Sequence, residues 1–362
     1  MDLTVIALFV LGLVLLVAGA EFLVRGAARL ASRLGISPLV IGLTVVAFGT
    51  SAPELAVSVQ AGLAGQSDIA VGNVVGSNIV NVLLILGISA LIVPLVVSQQ
   101  LVRIDVPLLI GASVLFLLMA LDGHIGLFDG ILLFAGIVGY ILFALRQSRQ
   151  ESAAIEDEYA QEFGVGGDDA GKISGALPLQ IALIVAGLAM LVLGSHWLVG
   201  GAVVFARHFG VSELIIGLTI VAIGTSLPEL ATSVVAALRG ERDIAVGNVV
   251  GSGIFNILAI AGIAAVVTPG GLEVAPALTR FDIPVMIAAA FACLPVFARG
   301  HLIPRWQGAL FIAFYVAYAT YLVLDATGHA VLPAFSAAML GFVLPLTAMT
   351  LMVVLVRQRA SQ

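Results

Sequence analysis

Glu54 and Glu229 stand in the same setting twice, in Gly49-Thr50-Ser51-Ala52-Pro53-Glu54-Leu55 and in Gly224-Thr225-Ser226-Leu227-Pro228-Glu229-Leu230. Both motifs place two hydroxyls and a carboxylate inside runs apolar enough to lie in a bilayer. An ionisable residue in such a run is costly and is by default the mark of a functional site. The proline has no N–H to donate, and its ring clashes with the carbonyl four residues back, here Gly49. Carbonyls near Ala47, Phe48 and Gly49 are therefore expected to be released, which a membrane tolerates only where backbone is buried in protein or faces a cavity. Released carbonyls, the Thr50 and Ser51 hydroxyls and the Glu54 carboxylate are hard oxygen donors, a set that suits Na⁺ or Ca²⁺ and not zinc or copper.

A second motif, Asp-Ile-Ala-Val-Gly-Asn-Val-Val-Gly-Ser-x-Ile-x-Asn, runs from Asp68 to Asn81 and again from Asp243 to Asn256. Ser77 and Asn81 are four residues apart and share a helix face, as do Ser252 and Asn256. Gly72 and Gly76, with Gly247 and Gly251, are spaced to admit another helix closely. That packing would set each Ser/Asn face against a broken helix bearing a glutamate. The two glutamates together carry a charge of about −2, which one Ca²⁺ or two Na⁺ neutralise, whereas a single Na⁺ leaves a buried charge uncompensated. Competition of the two ions for one site would then produce exchange.

The elements that must hold these residues are membrane helices. Of the 362 residues 61% are hydrophobic and 10% are charged, with a net charge of −6 and a mean hydropathy of +1.19. A soluble domain carries about 25% charged residues. Cys293 is the one cysteine, which excludes an intramolecular disulfide and a cysteine-based metal site. Apolar runs of bilayer length number about eleven: near 3–23, 36–64, 69–97, 104–121, 125–145, 179–200, 212–238, 244–268, 281–298, 303–324 and 331–356. The first lacks the positive flank of a cleaved signal peptide and reads as a retained helix.

Residues 35–92 and 210–267 are identical at roughly two-thirds of aligned positions, far above what shared apolar composition gives. The likeness extends further: Arg103-Ile104-Asp105-Val106-Pro107 recurs as Arg280-Phe281-Asp282-Ile283-Pro284, and Glu21-Phe22-Leu23-Val24 aligns with His196-Trp197-Leu198-Val199. The reading is an all-α polytopic membrane protein of two five-helix repeats, 1–146 and 178–325. An acidic cytoplasmic linker, 147–177, joins them, and 326–362 adds a C-terminal helix and short tail. An odd number of helices inverts the second repeat, as in many secondary transporters. With the N-terminus outside and the C-terminus cytoplasmic, every Lys and Arg except Arg207 and Arg280 falls on the inside, as the positive-inside rule requires.

On these motifs the chain resembles the cation/calcium antiporter superfamily, specifically the prokaryotic sodium/calcium exchangers, and the likeness covers the ten helices of the two repeats. The resemblance implies ion-binding positions at Ala47, Thr50, Ser51, Glu54, Ser77 and Asn81 and at Ala222, Thr225, Ser226, Glu229, Ser252 and Asn256. The two alanines would contribute through their carbonyls. It further implies that the first and sixth helices slide as a pair to alternate access. Some members carry Asp where Asn256 stands; Asn keeps the oxygen and loses the charge, which argues against a potassium requirement. Gly253 replaces Asn78 of the first copy, a packing change.

The function expected is Na⁺/Ca²⁺ antiport across the inner (plasma) membrane. Ca²⁺/H⁺ antiport through the same glutamates is the alternative, and a passive cation channel is a further one that the inverted repeat argues against. Nothing marks an enzyme: no Gly-x-Ser-x-Gly surrounds Ser51 or Ser226, and no histidine accompanies them. No cofactor and no nucleic-acid partner is expected, only ions and membrane lipid. Arg103 with Asp105 and Arg280 with Asp282 read as interfacial anchors, Asp68 and Asp243 as helix caps, His124 and His301 as solvated loop residues, and Glu21 and His196 as helix-end residues.

Overall fold

The computed structural model describes residues 3–163, 177–210, 220, 222–298 and 302–346. Almost everything described is helix. The first helix, α1 (Leu3–Leu34), is followed by a broken span made of α2 (Pro38–Thr50) and α3 (Ala52–Leu63), bent by 45° at Ser51. Then come α4 (Ser67–Ile92), α5 (Leu101–Ala120) and α6 (Leu127–Phe163). The second half runs through α7 (Leu177–His208), a short α8 (Ala222–Gly224), α9 (Leu227–Leu238), α10 (Arg242–Val267), α11 (Leu278–Phe297), α12 (Arg305–Ala326) and α13 (Leu332–Leu346). Among the described residues eight helices are long and apolar enough to cross a membrane, nine with the bent pair counted as one span. The expected spans 212–238 and 331–356 fall partly outside the described residues, as do the linker's 164–176 and His301.

The bend follows directly from Pro53 and its copy. A proline in the first turn of a helix forfeits no bond of its own helix, so α3 and α9 each start cleanly at Ala52 and Leu227 with the proline second. The helix before it loses a partner there and turns away.

Burial separates the helices into two groups. In the most apolar stretches of α4 and α10, 72% and 89% of residues are buried, against 22% and 28% in α1 and α7. Residues of α4 and α10 accordingly form much of the apolar core, with Val71, Val75, Ile79 and Ile85 answered by Val246, Val250, Ile254 and Ile260. The outer pair, α1 and α7, packs chiefly on itself through glycines at heptad spacing: a Cβ at Gly12 would lie 2.7 Å from the Leu198 nitrogen, and one at Gly19 2.8 Å from the Gly187 carbonyl. Small residues let membrane helices approach to backbone contact. The same device joins α4 to α12 at Gly87 and Gly308, and α10 to α6 at Gly262 and Gly130.

Four two-residue strands tie loops together crosswise. β1 (Leu95–Val96) pairs antiparallel with β4 (Leu302–Ile303), and β2 (His124–Ile125) with β3 (Leu272–Glu273). The loop after α4 thus meets the loop after α11, and the loop after α5 meets the loop after α10.

Several expectations change here. Asp105 is no interfacial anchor: it is fully buried and accepts a 3.0 Å bond from the Tyr140 hydroxyl, while Tyr318 serves Asp282 at 2.7 Å. A buried carboxylate needs such a donor more than a headgroup. His124 is not merely solvated, since its ring Nε2 meets the Gly270 carbonyl beside the β2–β3 ribbon. Glu21 lies well inside α1, which continues to Leu34. Asp68 and Asp243 occupy first turns instead of capping positions, where their charge still favours the helix N-terminus.

Candidate cation site

The two glutamates are brought together at the centre by crossed hydrogen bonds. Ser51 Oγ donates to Glu229 Oε1 at 3.1 Å, and Ser226 Oγ donates to Glu54 Oε1 at 3.2 Å. Each serine sits at its own copy's helix break and serves the carboxylate of the other copy. Both carboxylates are 1% exposed. Their helices also cross over: α3 packs against the Asn256–Ala261 turn of α10, and α9 against the Val80–Ile85 turn of α4. Those two turns are widened, π-type turns; Asn81 is the second residue of one and Asn256 the first of the other. Such turns recur at functional sites, and the apolar sequence around the asparagines gives no sign of them.

The expected close approach of the motif glycines holds for the second copy. A Cβ at Gly247 would lie 2.9 Å from the Leu39 carbonyl, and one at Gly251 2.7 Å from the Leu43 carbonyl. The helix they admit is α2 of the first copy, so the packing runs between copies, not within one. For Gly72 and Gly76 the corresponding stretch, 214–222, lies mostly outside the described residues. Gly253 makes room for a neighbour, since a Cβ there would fall 2.8 Å from Asn78 Oδ1.

The polar atoms divide into satisfied and unsatisfied sets. Among the described residues, Glu54 Oε2, Glu229 Oε2, Ser77 Oγ, Asn81 Oδ1, Ser252 Oγ, Asn256 Oδ1 and Thr225 Oγ1 are buried with no hydrogen-bond partner. All seven are oxygens able to face a cation, and all belong to residues singled out by the sequence. A buried oxygen left without a partner costs about 1–3 kcal/mol, more when charged. Seven in two small motifs form a cluster of oxygen donors that the protein itself does not satisfy. The Thr50 hydroxyl donates to Asn248 Oδ1 at 3.1 Å and also lies 3.3 Å from the Ala47 carbonyl; donation outward leaves its lone pairs unused.

The backbone differs from expectation at Ala47. Its carbonyl is not fully released, since it accepts from the Ser51 N–H at 3.0 Å, though one lone pair remains beyond that bond. In the second copy the Ser226 N–H turns instead to the Ile223 carbonyl, one residue beyond Ala222.

Four residues of the site were not singled out by sequence reasoning. Asn73 Nδ2 donates to the main-chain carbonyl of Glu54 at 3.0 Å and to Ser58 Oγ at 2.9 Å. Asn248 Nδ2 does the same for the Glu229 carbonyl at 3.3 Å and Ser233 Oγ at 2.9 Å. These bonds brace each glutamate helix against the following helix. The signal was present, since Asn and Ser recur at both positions in both copies.

A family model described as sodium/calcium exchanger protein matches residues 4–146 and 179–324. The chain is 42% identical over 320 residues to the putative antiporter CaxA of Alkalimonas amylolytica, covering 87% of this chain and 97% of that one. It is 34% identical over 344 residues to the sodium/calcium exchanger MaX1 of Methanosarcina acetivorans, again covering 87% and 97%. A solved structure of the sodium-calcium exchanger NCX_Mj superposes with a TM-score of 0.73 at 30% identity, covering 87% of this chain and 97% of that one. With both halves matched and the fold shared along nearly the whole of a solved exchanger, the chain is a multi-pass membrane protein belonging to the sodium/calcium exchanger family.

Proposed function

We propose that this protein exchanges Na⁺ for Ca²⁺ across the inner membrane by alternating access, binding both ions at one site shared by the two copies. The observation that carries the reading is the set of buried, partnerless oxygens around the crossed Ser51–Glu229 and Ser226–Glu54 bonds. Glu54 and Glu229 supply the charge, and Thr50, Ser51, Ser77, Asn81, Thr225, Ser226, Ser252 and Asn256 supply neutral oxygens, with the carbonyls of Ala47 and Ala222. Ca²⁺ takes six to eight oxygens, a number this set can provide. Two carboxylates balance one Ca²⁺ or two Na⁺, so loading one ion disfavours the other.

Five helices per copy, the second copy inverted, is the organisation we infer, with 1–146 and 178–325 as the repeats, 147–177 as a cytoplasmic linker and 326–362 as an added helix and tail. The crosswise ribbons support it: the third loop of one copy meets the fourth loop of the other, as inversion demands. Charge placement supports an N-terminus outside and a C-terminus in the cytoplasm.

The test is radiolabelled Ca²⁺ uptake into proteoliposomes of the purified protein, driven in turn by an outward Na⁺ gradient and by a proton gradient. Uptake that needs Na⁺ supports exchange as stated. Uptake driven by protons alone would replace Na⁺ by H⁺ on the same glutamates, and Ca²⁺ conductance with no counter-ion would make the protein a channel.

A further inference from the structure

The two copies are near twins at the site, yet two polar contacts from the outer helix pair to the second copy use side chains that the first copy lacks at the matching positions. Pro228 has no N–H, so the Gly224 carbonyl four residues earlier lacks its helical donor. Ser195 on α7 provides one, its Oγ donating to that carbonyl at 2.7 Å. Ser195 is buried, and α7 lies directly over the spot, since a Cβ at Gly224 would meet Val199 Cγ2 at 2.7 Å. In the first copy the corresponding residues are Pro53, Gly49 and Ala20, and alanine has no hydroxyl to give.

A second contact repeats the asymmetry some way along the same helix pair. Glu21 on α1 forks the Arg239 guanidinium, Oε2 to Nε at 2.8 Å and Oε1 to Nη2 at 2.6 Å, with Arg25 alongside. The residues at the matching positions of the other copy are His196 and Ala64, which cannot form such a pair.

The Gly224 carbonyl and the Thr225 N–H belong to one planar peptide unit. Fixing that carbonyl fixes the plane from which Thr225 leaves the chain, and the Thr225 hydroxyl is one of the buried partnerless oxygens of the site. We propose that Ser195 is a positioning residue of the cation site, holding the Gly224–Thr225 peptide so that the Thr225 hydroxyl faces the ion, and that this makes the two half-sites unequal. The role rests on the cation-site reading above. Ser195 touches no ion; it acts through Thr225.

The experiment compares wild type, Ser195→Ala, Ser195→Cys and Ser195→Thr in two measurements. One is the KM and maximal rate of Na⁺-driven Ca²⁺ uptake; the other is the Ca²⁺ concentration that half-raises the melting temperature of purified protein, which needs no transport. Loss of one neutral hydrogen bond corresponds to about a 2- to 12-fold weakening. Ser195→Ala should raise KM and the half-saturating Ca²⁺ in both measurements by that factor with maximal rate little changed. Ser195→Cys, a weaker donor, should fall between, and Ser195→Thr should recover. Should Ser195→Ala fail to fold, the graded Cys and Thr pair decides the matter. Wild-type constants in Ser195→Ala or Ser195→Cys, or a loss that Thr does not recover, would overturn the role. A wild-type protein with no Ca²⁺ response in the melting assay would overturn the site reading, and the positioning role with it.

Discussion

At the level of single residues, the site depends on what each polar atom lacks. Glu54 and Glu229 each have one oxygen bonded to a serine of the other copy and one oxygen with no partner. Removing either charge leaves a divalent ion half-compensated in a buried site. Glu54→Gln or Glu229→Gln should therefore cost about 3 kcal/mol or more of Ca²⁺ binding, over about 100-fold in affinity. Uptake at wild-type rates in either variant would refute the ligand assignment. Asn73→Ala and Asn248→Ala remove bracing bonds rather than ligands. Each should lower stability by about 1–3 kcal/mol, read as a fall in melting temperature, while leaving ion-dependent uptake measurable. The carboxylates, hydroxyls and amides were legible in the sequence because polar groups stand out in apolar runs. The braces were not, because Asn73 and Ser58 read as ordinary small polar residues until the bonds from Asn73 to Ser58 and to the Glu54 carbonyl are in view.

Elements explain why the residues meet. Proline marks the break of α2 from α3, and glycine spacing marks close approach, but neither says which helix approaches. The α10 glycines receive α2 from the opposite copy, a contact that no local pattern encodes. The α1–α7 interface is another case. Gly12 and Gly19 face Gly194 and Gly187, and Gly26 faces Ile184 and the Gln180 carbonyl, yet each helix alone reads only as a hydrophobic span with scattered glycines. Gly19→Val would force a branched side chain against the Gly187 carbonyl. The expected cost is about 1–3 kcal/mol, visible as a lowered melting temperature of the purified protein. Unchanged melting would show that the two helices separate easily. Asp105 escaped the sequence reading for a related reason: its donor, Tyr140, lies 35 residues away on α6, and nothing local distinguishes a buried helix-start aspartate from an interfacial one.

For the molecule as a whole, ligand binding and topology supply the tests. An ion that binds the folded protein and not the unfolded chain adds about 2.7 kcal/mol of stability at 100 times its dissociation constant. Ca²⁺ should therefore raise the melting temperature of wild type and do so far less for Glu54→Gln. Sidedness can be read with thiol reagents after replacing buried Cys293 by serine. Gln99→Cys, exposed near β1, should label from the cytoplasmic face, and Asp122→Cys, exposed near β2, from the outer face. Labelling of both from one face would refute the arrangement. The crosswise contacts also bear on how the protein is made. During synthesis the first copy enters the membrane with α1 lacking α7, α4 lacking α12, β1 lacking β4 and Glu54 lacking Ser226. None of those partners is supplied by a neighbouring segment; Ser226 trails Glu54 by 172 residues. The first half by itself is therefore an open set of helices that the second half closes. A chain truncated after the first half would hold Glu54 without Ser226 and α1 without α7.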